Sequence, residues 1–232
     1  VDVIGRYARR SESRAKDNDH IRAYAPRYPT EWIYFTHRPA TRSAYYHTSH
    51  IGDTQVLDTE SVRSRFRSII ARATPEQRAA ATRWYCEART FAESLTFLRP
   101  EWSLETAASI ISAYSPRTRW AHNKTKAVQH AMHMVPRGIT AHYATARLAE
   151  TDGFKALRGL KTNAFARAIA GDPNAVVIDT WMMKAAGIDR DAPTVRQYRA
   201  MVDIVRDIAP DVALTPAETQ ALIWIVQRGS AE

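Results

Sequence analysis

From Asp58 onward, apolar residues recur at intervals of three and four, with start and stop signals between the runs. That spacing lines one stripe of a helix, whereas a half-buried strand would alternate. Val62, Phe66, Ile69 and Ile70 form the first stripe. Thr74-Pro75-Glu76-Gln77 then reads as a helix start: threonine is the N-cap, proline takes the first helical position and glutamine closes a capping box. Its helix carries Trp84, Tyr85, Ala88, Phe91, Ala92 and Leu95 on one side, and Pro100 closes it. Ser103-Leu104-Glu105-Thr106 opens another helix, whose small apolar residues suit close packing by neighbours. Further helices are expected from Trp120 to Met134, Ile139 to Glu150 and Lys161 to Ala170. Three more are expected from Asp179 (as cap) to Ala186, from Thr194 to Ala209 and from Thr215 to Arg228. Gly171-Asp172-Pro173-Asn174 and Gly187 are stops. The expected fold class is all-α.

Residues 1–58 differ from the rest. They are rich in Arg, Tyr, His and Pro and show no sustained helical period. Trp32-Ile33-Tyr34-Phe35 reads as a short strand or extended packing segment. Tyr45, Tyr46, His47 and His50 form an aromatic, polar patch, read either as a surface tether or as a stacking platform for bases. The expected organisation is an N-terminal extension over 1–58 and a main domain over 59–232.

The charge narrows the partners. A net charge of +9 attracts phosphate backbones, and counterion release drives such binding. Arginine supplies 27 of the 33 basic residues, which a GC-rich genome would also produce. The lone cysteine, Cys86, excludes an internal disulfide and any site that needs several thiolates. It suits a reducing, cytoplasmic setting. No apolar run approaches the roughly 20 residues of a membrane span, and Val1–Arg14 is polar rather than leader-like. His130 and His133, three apart, show no convincing metal pattern.

Three segments carry the chemistry. The first is Ile110-Ile111-Ser112-Ala113-Tyr114-Ser115-Pro116, followed by Trp120-Ala121-His122-Asn123-Lys124. The second is Leu157-Arg158-Gly159-Leu160-Lys161-Thr162-Asn163. The third is Val176-Val177-Ile178-Asp179-Thr180-Trp181, which puts Asp179 eighteen residues after Lys161. Taken singly, Asp179 reads as a plain N-cap and Lys161 as a solvated lysine at a helix start. In this order and spacing, the chain over about 103–229 resembles the helix-hairpin-helix DNA glycosylase superfamily, its endonuclease III-like group in particular.

The resemblance implies a two-lobed fold around a basic cleft. One lobe would centre on 103–178 and the other combine 59–102 with 180–229. It implies a DNA glycosylase with abasic-site lyase activity, acting on double-stranded DNA through a flipped nucleotide. Lys161 would be the Schiff-base nucleophile and Asp179 the carboxylate that stabilises the sugar cation or serves as general base. Gly159, Leu160 and Thr162 would grip a phosphate through backbone N–H groups. Tyr114 would fill the gap left by the flipped base, or else pack in the core. Arg117, Arg119, Asn123 and Lys124 would meet phosphates, or else form a solvated face. No cofactor or metal is implied, and the expected state is a monomer in the cytoplasm, the host's if the gene is phage-borne.

The chain departs from the family pattern in three places. Its hairpin is about two residues short of the usual Gly-x-Gly turn. The stretch from Tyr114 to Lys161 is compressed, and the iron–sulfur cysteines are missing. The compact, Arg-rich form is similar to bacteriophage members. That admits two other functions: an enzyme that installs modified bases on the same scaffold, and a DNA binder without chemistry.

Overall fold

Among the described residues six helix starts carry side-chain caps, and these fix much of the architecture. Asp58, Thr74, Ser103, Asp179, Thr194 and Thr215 each accept a hydrogen bond from a backbone N–H in the first turn. At Thr74, Thr194 and Thr215 the third helical residue returns a bond to the cap N–H, completing capping boxes. Each cap contributes about 1 kcal/mol.

The computed structural model describes residues 57–190 and 192–230, and all the regular structure among them is helical. In chain order the α-helices are α1 (Thr59–Ala71), α2 (Pro75–Leu98), α3 (Leu104–Ala113), α4 (Trp120–Ala131) and α5 (Thr140–Asp152). They continue with α6 (Leu160–Ala170), α7 (Thr180–Ala185), α8 (Val195–Ile208) and α9 (Pro216–Arg228). Short 3-10 turns cover Gly153–Ala156 and Ala209–Val212. No helix among the described residues is long and apolar enough to cross a membrane. The N-terminal extension, with the Trp32–Phe35 run and the Tyr45–His50 patch, lies outside the described residues apart from Leu57 and Asp58.

The helices build two hydrophobic clusters. The first joins Val62, Phe66, Ile69 and Ile70 of α1 to Met182 and Met183 of α7, the inner faces of α8 and α9, and Val176 and Ile178. The second joins Ala88, Ala92 and Leu95 of α2 to Ile110 and Ile111 of α3, Val128 of α4 and Ile169 of α6. Burying each large side chain stabilises by roughly 1.5–3 kcal/mol. After its first turn, helix α3 is buried at every residue from Ala107 to Ala113, as its small-residue sequence requires.

The clusters divide the chain differently from the expected lobes. The boundary falls inside α2, with Ala81 in the first cluster and Ala88 onward in the second. A helix of 24 residues is about 36 Å long, too long for one small cluster to cover. Val176 and Ile178 belong with the first cluster, not with 103–175. Helix α4 also stops three residues earlier than its periodicity suggests, because His133 takes a positive φ of 58°.

Candidate active site

The segment Ala175–Ile178 is buried and irregular, and it pairs with no strand among the described residues. Tyr198 of α8 anchors it. Its hydroxyl donates to Val176 O at 3.0 Å, accepts from Ile178 N at 3.4 Å and lies 3.4 Å from Leu160 O at the start of α6. One side chain thus touches the backbone beside both Lys161 and Asp179. Burial pushes the Tyr198 hydroxyl up to about 12; the Ile178 N–H opposes the rise and the Asp179 charge adds to it.

Asp179 follows at once and caps α7. Its Oδ1 accepts from Trp181 N at 2.9 Å and Met182 N at 3.0 Å. Its Oδ2 accepts from Trp224 Nε1 of α9 at 3.0 Å. The N-cap reading is therefore correct, and the same half-buried carboxylate also lines a pocket. A carboxylate has about four lone-pair sites, and three are taken.

Lys161 is the second residue of α6 and is half-buried. It makes no hydrogen bond or ion pair with the described residues. It lines the same pocket as Asp179, a cavity of about 680 Å³. Helix N-termini surround this space. Gly159 starts α6 and Arg119 starts α4, both without a side-chain cap, and both line the pocket. Their first-turn N–H groups are left to other acceptors, a setting that favours anions.

Aromatic rings make the apolar wall. Trp84 sits 5.1 Å from Trp120, 6.2 Å from Phe165 and 6.0 Å from Trp224, centroid to centroid. These rings come from four helices, α2, α4, α6 and α9. Beside them the Tyr85 hydroxyl donates to Gln220 Oε1 at 2.6 Å. Burial raises the Tyr85 phenol far above its ordinary range, and the Asp179 charge adds to the rise. Arg228 stacks on Trp224 at 4.8 Å and closes one side. Sequence reasoning put Trp84 and Tyr85 on one face of a helix but missed their place at the site. Nothing local marks Phe165 or Gln220.

The other expected residues divide. Gly159, Leu160, Arg117 and Arg119 are exposed and line the pocket. Thr162 is occupied locally: its Oγ1 donates to Gly159 O at 3.0 Å, and its carbonyl accepts from Ser112 Oγ at 2.7 Å. Lys124 does not line the pocket; its ammonium lies 5.6 Å over Trp120 and 6.0 Å over Phe91.

Two expectations are corrected. Tyr114 is 2% exposed and lies in the second cluster, away from the pocket. Its hydroxyl bonds His130 Nδ1 at 2.7 Å, and His130 Nε2 bonds Glu150 Oε1 at 2.8 Å. The ring is held in the core by a buried polar chain, so it does not fill a gap in a duplex. Asn123 is also 2% exposed, which removes it from any phosphate track, although it does line the pocket.

Neither a curated protein nor a solved structure matches the chain. The family profile that fits it spans residues 49–231, which include every residue of this site, and the chain belongs to the family of unknown function DUF7178.

Proposed function

We propose that this protein is a DNA glycosylase with abasic-site lyase activity. The observation that carries the reading is the meeting of Lys161 and Asp179 at one aromatic-walled pocket. A carboxylate suits the sugar cation formed as the base leaves, and an amine suits the Schiff base that precedes strand cleavage. The two-lobed helix-hairpin-helix architecture is part of this proposal.

A base extruded from the duplex would enter among Trp84, Trp120 and Phe165, where flat rings find partners. As the N-glycosidic bond breaks, its electron pair leaves with the base and the sugar gains oxocarbenium character. Asp179, fixed by three N–H donors, lies ready to stabilise that charge without rearranging. With one lone-pair site left, the carboxylate suits electrostatic stabilisation better than proton abstraction. The Lys161 amine, once deprotonated, forms the bond to the anomeric carbon, and ring opening yields a Schiff base. Loss of a C2′ proton then expels the 3′ phosphate and cuts the strand.

The uncapped start of α6 suits a phosphate at Gly159 and Leu160, and the net charge of +9 suits the polyanion. Chromatography of free bases released from duplexes containing damaged or modified nucleotides tests the reading. Release by the wild type, lost in Asp179→Asn, supports it. A wild type that releases no base from any such duplex counts against it.

A further inference from the structure

The pocket holds hydrogen-bonding groups that the excision chemistry does not use. Asn123, on the first turn of α4, is 2% exposed and lines the pocket, and its Oδ1 is buried with no partner among the described residues. Ser115 Oγ, which also lines the pocket, is likewise buried without a partner among the described residues. Gln220 is 4% exposed and also lines the pocket. Tyr85 donates to its Oε1, which orients the amide and leaves Nε2 to donate elsewhere. Buried polar groups in folded proteins almost always have partners. Here the spare ones share a cavity walled by Trp84, Trp120 and Phe165. The walls suit a flat heteroaromatic ring, and the amides suit its edge.

We infer that the ring taken by this pocket is a lactam base, with a ring N–H beside a carbonyl, and that Asn123 determines this specificity. The inference rests on reading the cavity as a base pocket. Asn123 Oδ1 accepts the ring N–H, and Gln220 Nε2 donates to a carbonyl oxygen. Uracil-, thymine-, guanine- and hypoxanthine-type rings carry that edge. Adenine has no carbonyl, and cytosine has no ring N–H. Sites with buried polar groups reject ligands that leave those groups unpaired.

Intrinsic tryptophan fluorescence of the full chain reads occupancy, since four tryptophans, Trp84, Trp120, Trp181 and Trp224, line the pocket. Titration with uridine, inosine, cytidine, adenosine, 3-methyluridine and 1-methylinosine tests the edge directly. At least one of uridine and inosine is expected to half-saturate at a concentration about tenfold or more below its N-methylated counterpart, and below cytidine and adenosine. Asn123→Leu is expected to abolish that preference; the wild-type comparison carries the test by itself if the variant does not fold. Equal binding of the methylated nucleosides overturns the inference. So does a preference for cytidine or adenosine, a preference that survives in a folded Asn123→Leu, or no quenching by any nucleoside.

Adduct formation at an abasic site, where no base is present, separates this from the functional reading. Wild type forms the adduct if the excision chemistry is right. Lactam preference without an adduct sinks the chemistry alone, and an adduct without lactam preference sinks this inference alone.

Discussion

Trp224 Nε1 donates to Asp179 Oδ2 at 3.0 Å, joining α9 to the start of α7 across 45 positions of sequence. The bond aims the carboxylate into the pocket, whereas the N-cap bonds alone would fix only its other oxygen. Trp224→Phe keeps most of the ring packing and removes the donor. A hydrogen bond to a charged group contributes about 1.5–3 kcal/mol, so single-turnover base excision is expected to slow roughly ten- to hundredfold. Circular dichroism should show the fold retained. An unchanged rate would mean that the bond plays no part in aiming Asp179.

Arg117 and Arg119 are exposed at the pocket rim, and neither side chain has a partner among the described residues. Their contribution to DNA affinity should be electrostatic. The double variant Arg117→Ala/Arg119→Ala is expected to lower the slope of log K against log salt by about 2, since each phosphate contact contributes about 0.9. Fluorescence anisotropy with a labelled duplex at several salt concentrations measures it. A slope equal to wild type would place the DNA elsewhere.

The Tyr114–His130–Glu150 chain predicts a pH dependence of stability rather than of DNA contact. Burial lowers the His130 pKa below its ordinary 6.5; the Glu150 carboxylate opposes the shift, while Arg147 and Arg99 reinforce it. As pH falls through about 6.5 the unfolded chain takes up a proton that folded His130 refuses. Stability is therefore full above that value and declines below it, until the folded histidine also protonates. His142 is shifted in the same direction and adds to the slope. The urea midpoint is expected to drop between pH 7.5 and 5.5, with a shallower drop in His130→Gln. An identical slope in that variant would contradict the assignment.

Helix starts were legible in the sequence because capping is local. Thr74, Thr194 and Thr215 each hold their bonding partner within three residues. The apolar stripe of α1 was equally plain, and Val62, Phe66, Ile69 and Ile70 are all buried. The Lys161–Asp179 spacing pointed to residues that the fold does bring to one pocket. The aromatic wall was hidden for a physical reason: Trp84, Trp120, Phe165 and Trp224 lie on four helices and meet only in the tertiary fold. Tyr114 misled because a tyrosine ending an apolar helix looks the same whether it faces DNA or the core. Its partner His130 lies 16 positions away, on a helix whose packing no local pattern gives. Asn123 sits in a basic stretch that reads as a solvated face, yet the turn into α4 folds it inward.

The central claim is that Lys161 performs covalent chemistry on the sugar beside Asp179. Borohydride reduction of the protein on duplex DNA carrying an abasic site tests it most directly. A covalent protein–DNA adduct is expected with wild type and should vanish in Lys161→Ala, with peptide mass spectrometry placing the modification on Lys161. An adduct that persists in Lys161→Ala, or no adduct despite tight and salt-sensitive binding of the duplex, would contradict the account.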